Sequence, residues 1–186
     1  MSTSTEGYVS AEKRMRSAVE TLKKEFATIR TGRANPALLD RVEVEYYGAQ
    51  TPLKGLANIT VTDARTIVVQ AFDKSAIKEI EKAITNSGLG LTPNVDGGTV
   101  RISIPTLTEE RRRDLTKVVR KYAEEGRVAV RNVRRDAIDD LKKMKGKEIS
   151  EDESKRQEEA YQKLTDKNVK EIDDMTKQKE AEVMEV

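Results

Sequence analysis

Between residues 108 and 145 small or apolar residues recur at steps of three and four with no intervening proline: Leu115, Val119, Tyr122, Gly126, Ala129, Val133, Ala137, Leu141 and Met144. That spacing predicts a single amphipathic helix, ~57 Å long if unbroken at 1.5 Å per residue. A compact chain of 186 residues has a radius of gyration of ~16 Å and a diameter of ~40 Å. A rod of that length does not fit inside such a particle, so an elongated molecule is expected.

The flanking segments supply partners for the rod. Met15, Ala18, Val19, Leu22, Phe26 and Ile29 define a first helix over roughly residues 9–30, which ends in the Gly- and Pro-punctuated Thr31-Gly32-Arg33-Ala34-Asn35-Pro36. A third helix follows Gly146, with Ser150-Glu151-Asp152-Glu153 as a capping box. It carries Tyr161, Leu164, Ile172, Met175 and Val183 inward, and Asn168 where an apolar residue would fit. Three amphipathic helices on short connections bury best against one another.

Between the first two helices the period changes to two. Val42, Val44 and Tyr46 alternate with acids, and Leu56–Val61, Ile67–Phe72 and Val100–Ile104 read as further strands. Asp73 is placed to cap a short helix bearing Ala76, Ile77, Ile80, Ala83 and Ile84 on one face, which Gly88 and Gly90 end. Thr106 with Glu109 fits a capping box at the start of the long helix. The expected fold class is therefore α+β, an elongated three-helix bundle with an inserted β/α/β domain of about four strands and one helix. The bundle takes residues 1–30 and 106–186, and the insertion takes 31–105. The two chain crossings, near 31–33 and 104–106, then lie side by side as a hinge formed by Thr31, Gly32, Arg33, Pro105 and Thr106.

The residue inventory excludes much chemistry. With neither His nor Cys, a His-based triad, a thiol nucleophile and the usual zinc sites are ruled out. No phosphate-binding Gly-rich loop of the Walker type is present, and the Gly88/Gly90 pair follows a helix rather than a strand. Asp139-Asp140 and Glu151-Asp152-Glu153 read as solvating charges on helix faces. No catalytic site, metal or cofactor is expected. No apolar run approaches the ~20 residues that span a bilayer. The opening segment lacks the apolar core of a secretory signal. A cytoplasmic protein with no membrane partner is expected.

Net charge is only +2, yet it is unevenly spread: residues 108–147 hold 14 Lys/Arg against 8 Asp/Glu, and residues 148–186 hold 7 against 13. On the long helix Arg113, Lys117, Arg120, Arg127, Arg131 and Arg134 recur at helical steps, about 130° from the apolar stripe. Lys121 and Arg135 flank them. Such a row is ordinarily a solvated face, or here one paired with the acidic third helix. Two features favour RNA instead: the row is mostly Arg, whose forked guanidinium suits phosphate, and its ~30 Å length matches successive phosphates of a groove. Packing of apolar faces against each other is expected to leave the row outside. Arg30 and Arg33 bracket Thr31-Gly32 and read equally as helix C-terminal charges or as RNA contacts. Of Tyr46 and Tyr47, alternation places one in a core and one at the surface. Core packing accounts for the pair, with a stacking platform as the alternative.

Several of these segments are also distinctive as sequences. Ile29-Arg30-Thr31-Gly32-Arg33-Ala34-Asn35-Pro36, Val44-Glu45-Tyr46-Tyr47-Gly48, Leu107-Thr108-Glu109-Glu110-Arg111-Arg112, Val128-Ala129-Val130-Arg131-Asn132-Val133-Arg134-Arg135 and Lys147-Glu148-Ile149-Ser150-Glu151-Asp152 resemble, in order and spacing, blocks of bacterial ribosome recycling factors. The resemblance runs from about residue 8 to 186. It implies an L-shaped monomer similar in outline to transfer RNA, with a hinge between bundle and smaller domain. It also implies a role in translation: binding the post-termination ribosome and, with elongation factor G and GTP, splitting its subunits. On that resemblance Arg131, Arg134 and Arg135, with Arg30, contact large-subunit ribosomal RNA, and elongation factor G acts on the smaller domain.

Overall fold

The computed structural model describes residues 3–185, so the first two positions and the last of the segments 1–30 and 106–186 lie outside it. The chain divides into two compact units, one running to Ile29 and resuming over Asp114–Ala181, the other holding Arg30–Arg113 and the chain from Glu182 onward. The fold is α+β, with long helices in the first unit and a small sheet domain in the second.

The first unit is built from α1 (Thr3–Thr28), α4 (Glu109–Met144) and α5 (Glu151–Met184), of which the last turn of α5 and the first residues of α4 fall in the second unit. Helix α1 starts six residues before the sequence pattern does. Its first turns are polar and give no periodicity, but the Tyr8 ring lies against the Tyr161 ring of α5 at a centroid distance of 6.1 Å. Gly126 does not break α4. It is buried, and a methyl group there would meet Leu22 of α1 and Ile172 of α5. Met15, Val19, Leu22, Val119, Ala123, Val130, Leu141 and Ile172 fill this core. The third helix contributes polar residues to the same seam: Ser154, Thr165, Asn168 and Thr176 are all buried. Asn168 donates its side-chain amide to the Leu164 carbonyl at 2.8 Å and faces the Met15 sulfur, so the polar gap seen in the sequence stripe lies in the core. Met175, expected there too, is only half-buried.

Helix starts differ in detail from expectation. The cap of α4 is Thr108, whose Oγ1 accepts from the Arg111 N–H at 3.1 Å, and not Thr106. Glu109 is thereby the first helical residue, where an acid still faces the positive end of the dipole. Ser150 does cap α5, accepting from the Glu153 N–H, while the Glu153 carboxylate turns forward to Gln157.

Among the described residues the second unit has six strands where four are legible in the sequence. Strands β3 (Ala57–Asp63), β4 (Thr66–Ala71), β6 (Thr99–Ser103) and β5 (Thr92–Asp96) form an antiparallel sheet in that order. Strands β1 (Glu43–Tyr46) and β2 (Ala49–Pro52) form a separate hairpin. The two unexpected strands, β2 and β5, carry Gln, Asn and Pro and expose most of their residues, so no apolar alternation marks them. Leu56 ends a single-turn helix, α2 (Leu53–Leu56), rather than opening β3. Asp73 caps a 3-10 turn, Lys74–Ala76, that leads into α3 (Ile77–Thr85). Ile77, Ile80 and Ile84 of α3 share a core with Ile67 and Val69 of β4, Val100 and Ile102 of β6, and Val44 of β1. The sheet ends in two edge strands, β3 with a bulge between Val61 and Asp63 and β5 with Pro93.

Candidate nucleic-acid interface

The buried arc of α4 consists of Leu115, Val119, Ala123, Gly126, Val130, Val133 and Leu141. It is rotated from the stripe read in the sequence: Ala123 and Val130 replace Tyr122 and Ala129, which are half-buried. This rotation divides the basic row. At 100° per residue, Arg127 and Arg134 are the members nearest the buried arc, and Lys117, Lys121 and Arg135 the farthest from it.

The near members turn toward α5, which corrects the expectation that the whole row stands clear of the acidic helix. Arg120 meets Glu180 at 2.8 Å, Arg127 meets Asp173 at 2.8 Å, and Arg134 donates to the side-chain amide oxygen of Gln162 at 3.1 Å. Spaced by seven, these residues border the seam as flanking positions do in a coiled coil and face partners on the neighbouring helix. Arg127 is the most engaged, with a side chain only 22% exposed and a second bond to Glu124. Burial there works against its charge, but the hydrogen bonds to Asp173 and Glu124 outweigh it and raise its pKa above the ordinary value.

The far members form the outward face. Lys117, Lys121 and Arg135 are exposed, and among the described residues none of the ion pairs involves them. Arg131 is exposed too and shares Glu124 with Arg127 at 3.2 Å. At the centre of the face lies Val128, 44% exposed. In Val128-Ala129-Val130 three apolar residues in succession point in three directions, so one of them must face out. That signal was readable in the sequence.

The remaining candidates sit elsewhere. Arg113 continues the row toward the start of α4 and is paired with Glu109 one turn earlier. Arg30 belongs to the second unit, where it is part-buried and donates to the Leu89 carbonyl at 2.7 Å. Its role in this structure is to hold the loop after α3. Thr31 is buried, its hydroxyl accepting from the Arg33 N–H, and Arg33 forms a two-pronged pair with Glu185. That pairing raises the Arg33 pKa and lowers that of Glu185. Gly32 does not use a left-handed backbone. Pro105 and Thr106 lie in the segment without regular structure before α4. Among the described residues no His, Cys, Asp or Glu cluster could hold a metal ion. No described helix is long and apolar enough to cross a membrane.

Comparison with known proteins agrees across sequence and structure. The family model described as ribosome recycling factor matches residues 22–184. The ribosome-recycling factor of Halalkalibacterium halodurans is 60% identical over 177 residues, which cover 95% of this chain and 96% of the relative. That of Bacillus subtilis is 57% identical over 184 residues, covering 98% and 100%. A solution structure of a ribosome recycling factor, 46% identical, superposes with a TM-score of 0.78 over all of both chains. The Thermus thermophilus ribosome recycling factor, described with Escherichia coli elongation factor G on the E. coli post-termination complex, is 50% identical with a TM-score of 0.69. It covers 99% of this chain and 100% of its own. A match of this extent and identity leaves one assignment: the chain belongs to the ribosome recycling factor family, a family of non-enzymatic translation factors.

Proposed function

We propose that this protein binds the post-termination ribosome through large-subunit ribosomal RNA and, with elongation factor G and GTP, separates the subunits so that they leave the mRNA. It acts as a cytoplasmic monomer. The outward face of α4 is the contact surface: Lys117, Lys121, Arg131 and Arg135 line it around Val128, with Asp114, Glu124 and Asp139 among them. This face carries the reading, because its cations are spared the ion pairs with α5 that engage Arg120 and Arg127. The T. thermophilus relative, described on a post-termination complex with elongation factor G, supports the choice of partners. On the same reading residues 31–105 are the domain on which elongation factor G acts, with Thr31, Gly32, Arg33, Pro105 and Thr106 as the hinge.

The test is ribosome binding against salt. Arg131→Glu with Arg135→Glu reverses two exposed charges on the proposed face; Lys167→Glu with Lys170→Glu makes the same change on exposed positions of α5. Exposed substitutions shift stability by about ±0.5 kcal/mol, so both variants stay folded. The first pair loses at least about tenfold in affinity at moderate salt and flattens the salt dependence by about one unit per lost phosphate contact. The second changes little. Equal losses would reduce the effect to net charge, and a salt-insensitive complex would favour a helical adaptor for another protein.

A further inference from the structure

Three arginines on α4 and three acids on α5 run in register. Arg120, Arg127 and Arg134 are spaced by seven, and so are Asp166, Asp173 and Glu180. The two rows run in opposite directions: Arg120 meets Glu180 and Arg127 meets Asp173. At the third rung Arg134 donates to the side-chain oxygen of Gln162, whose amide donates to Asp166 at 2.8 Å. Arg127 is held most fully. Its Nε and Nη2 both lie 2.8 Å from Asp173 Oδ1, and its Nη1 lies 3.1 Å from Glu124 Oε2. All three guanidinium nitrogens therefore face carboxylate oxygens. Charge in the groove between the two helices balances, with Arg120, Arg127 and Lys177 against Glu124, Asp173 and Glu180.

Ion pairs this open to solvent add little to stability; the Arg120 side chain is 69% exposed. Their larger effect is on what α4 presents to RNA. Arginine is the side chain best suited to grip phosphate, and a carboxylate at hydrogen-bond distance occupies the donors that a phosphate would take. Non-specific RNA binding is carried almost wholly by phosphate neutralisation, whereas binding at a folded RNA site adds contacts set by shape. A flexible strand can follow any cation it finds. A folded site holds its phosphates fixed and meets α4 through the outward face. Taking two arginines out of use therefore weakens indiscriminate binding more than binding at the shaped site. We propose that Asp173 and Glu180 are selectivity residues, which hold Arg127 and Arg120 in ion pairs and so withhold them from RNA other than the ribosomal site.

The device rests on the reading above that α4 contacts RNA, and a probe other than the ribosome separates the two. Asp173→Asn with Glu180→Gln removes both charges without changing side-chain size. Glu159→Gln with Asp174→Asn, at exposed acids of α5 outside the ladder, makes the same charge change as a control. Binding to single-stranded poly(U) and to post-termination ribosomes is measured against salt for each, with helical circular dichroism to confirm folding. Freeing two arginines should steepen the poly(U) salt dependence by about 1.4 units, at about 0.7 per contact on a single strand, and raise affinity about tenfold at ~0.1 M salt. Ribosome affinity should stay within about threefold of the parent. In an Arg120→Ala, Arg127→Ala background the same two neutralisations should give no more than the control, because no arginine is left to free. Asp173→Asn alone, the milder change, should give about half the slope effect, or 0.7 units.

A poly(U) gain no larger than the control's, a gain that persists without the two arginines, or an equal gain on ribosomes would each overturn the proposal. Ribosome binding by the parent that is absent or insensitive to salt would instead overturn the reading of the function, whatever the poly(U) series shows.

Discussion

Gly126 tests the packing of the first unit most directly, because two effects of known sign oppose each other there. In the interior of a helix, Gly→Ala ordinarily stabilises by about 1 kcal/mol. Here the added methyl carbon would sit 3.3 Å from Leu22 Cδ2 and 3.5 Å from Ile172 Cδ1, against an ordinary carbon–carbon separation of about 3.5–4.0 Å. Leu22 is 1% exposed and Ile172 is fully buried, so neither has free space to retreat into, and overpacking of this kind costs about 1–3 kcal/mol. Gly126→Ala is therefore expected to be neutral to destabilising by about 2 kcal/mol, and Gly126→Val, which adds more atoms and a β-branch, to cost more than about 3 kcal/mol. Urea unfolding followed by helical circular dichroism measures both. A cycle with Leu22→Ala sharpens the test: removing the nearest neighbour should turn Gly126→Ala into a stabilising change of about 1 kcal/mol. If Gly126→Ala alone delivers that full stabilisation with Leu22 intact, the close approach of the helices is wrong and the glycine is merely tolerated.

Arg127→Ala should cost about 1 kcal/mol of stability, from a half-desolvated pair with Asp173 and Glu124, whereas Arg135→Ala should cost almost none; thermal melts of the two variants decide. Asn168→Leu should raise stability by about 1 kcal/mol, because a buried amide satisfied by a carbonyl of its own helix is replaced by an apolar group; a lower melting temperature would refute it. At Gly32 a methyl group would meet only the Glu185 carbonyl oxygen at 3.8 Å. Gly32→Ala should therefore fold normally, and reduced subunit splitting with unchanged ribosome binding would show that the glycine is needed for movement. The Tyr46 hydroxyl, bonded to Asp73, is pushed up from 10.0 to about 12, so this bond adds stability that is complete below the unfolded value and is lost as pH rises toward the folded one. Asp73 is held below the usual carboxylate value by the Ser75 hydroxyl and N–H and by Tyr46, so its contribution is present above the unfolded value and lost as pH falls through the folded one. Asp73→Asn should bring the Tyr46 step down in a tyrosinate absorbance titration, and an unchanged step would sink the assignment.

What could be read from the sequence follows from how each element is stabilised. Helices α4 and α5 were legible because their seams repeat over many turns, and Asn168 because it interrupts such a repeat. Helix α1 was legible only where Met15, Val19 and Leu22 begin. Strands β2 and β5 were not, since their backbone pairing holds them and their exposed side chains leave no pattern. The chemistry of the basic row was plain, but its division was not. Which arginines border the seam depends on a rotation of α4 by about 25°, a quarter of a residue step, and Ala129 and Val130 satisfy a hydrophobic pattern almost equally. Tyr46 and Tyr47 were separable in principle by alternation. Nothing in the alternation could reveal that Tyr47 holds a left-handed backbone or that Tyr46 reaches Asp73, a contact between segments 27 residues apart.

The two ends of the sheet bear on how such a chain survives its own synthesis. An open row of backbone donors and acceptors at a sheet edge can template a strand from another molecule. Here β5 interrupts that row with Pro93, which has no N–H to offer, and β3 is distorted by its bulge next to Asp63. Neither edge therefore presents a flat, continuous run to a neighbouring nascent chain. The four-stranded sheet is thereby guarded at both of its ends against strand-by-strand pairing with another molecule.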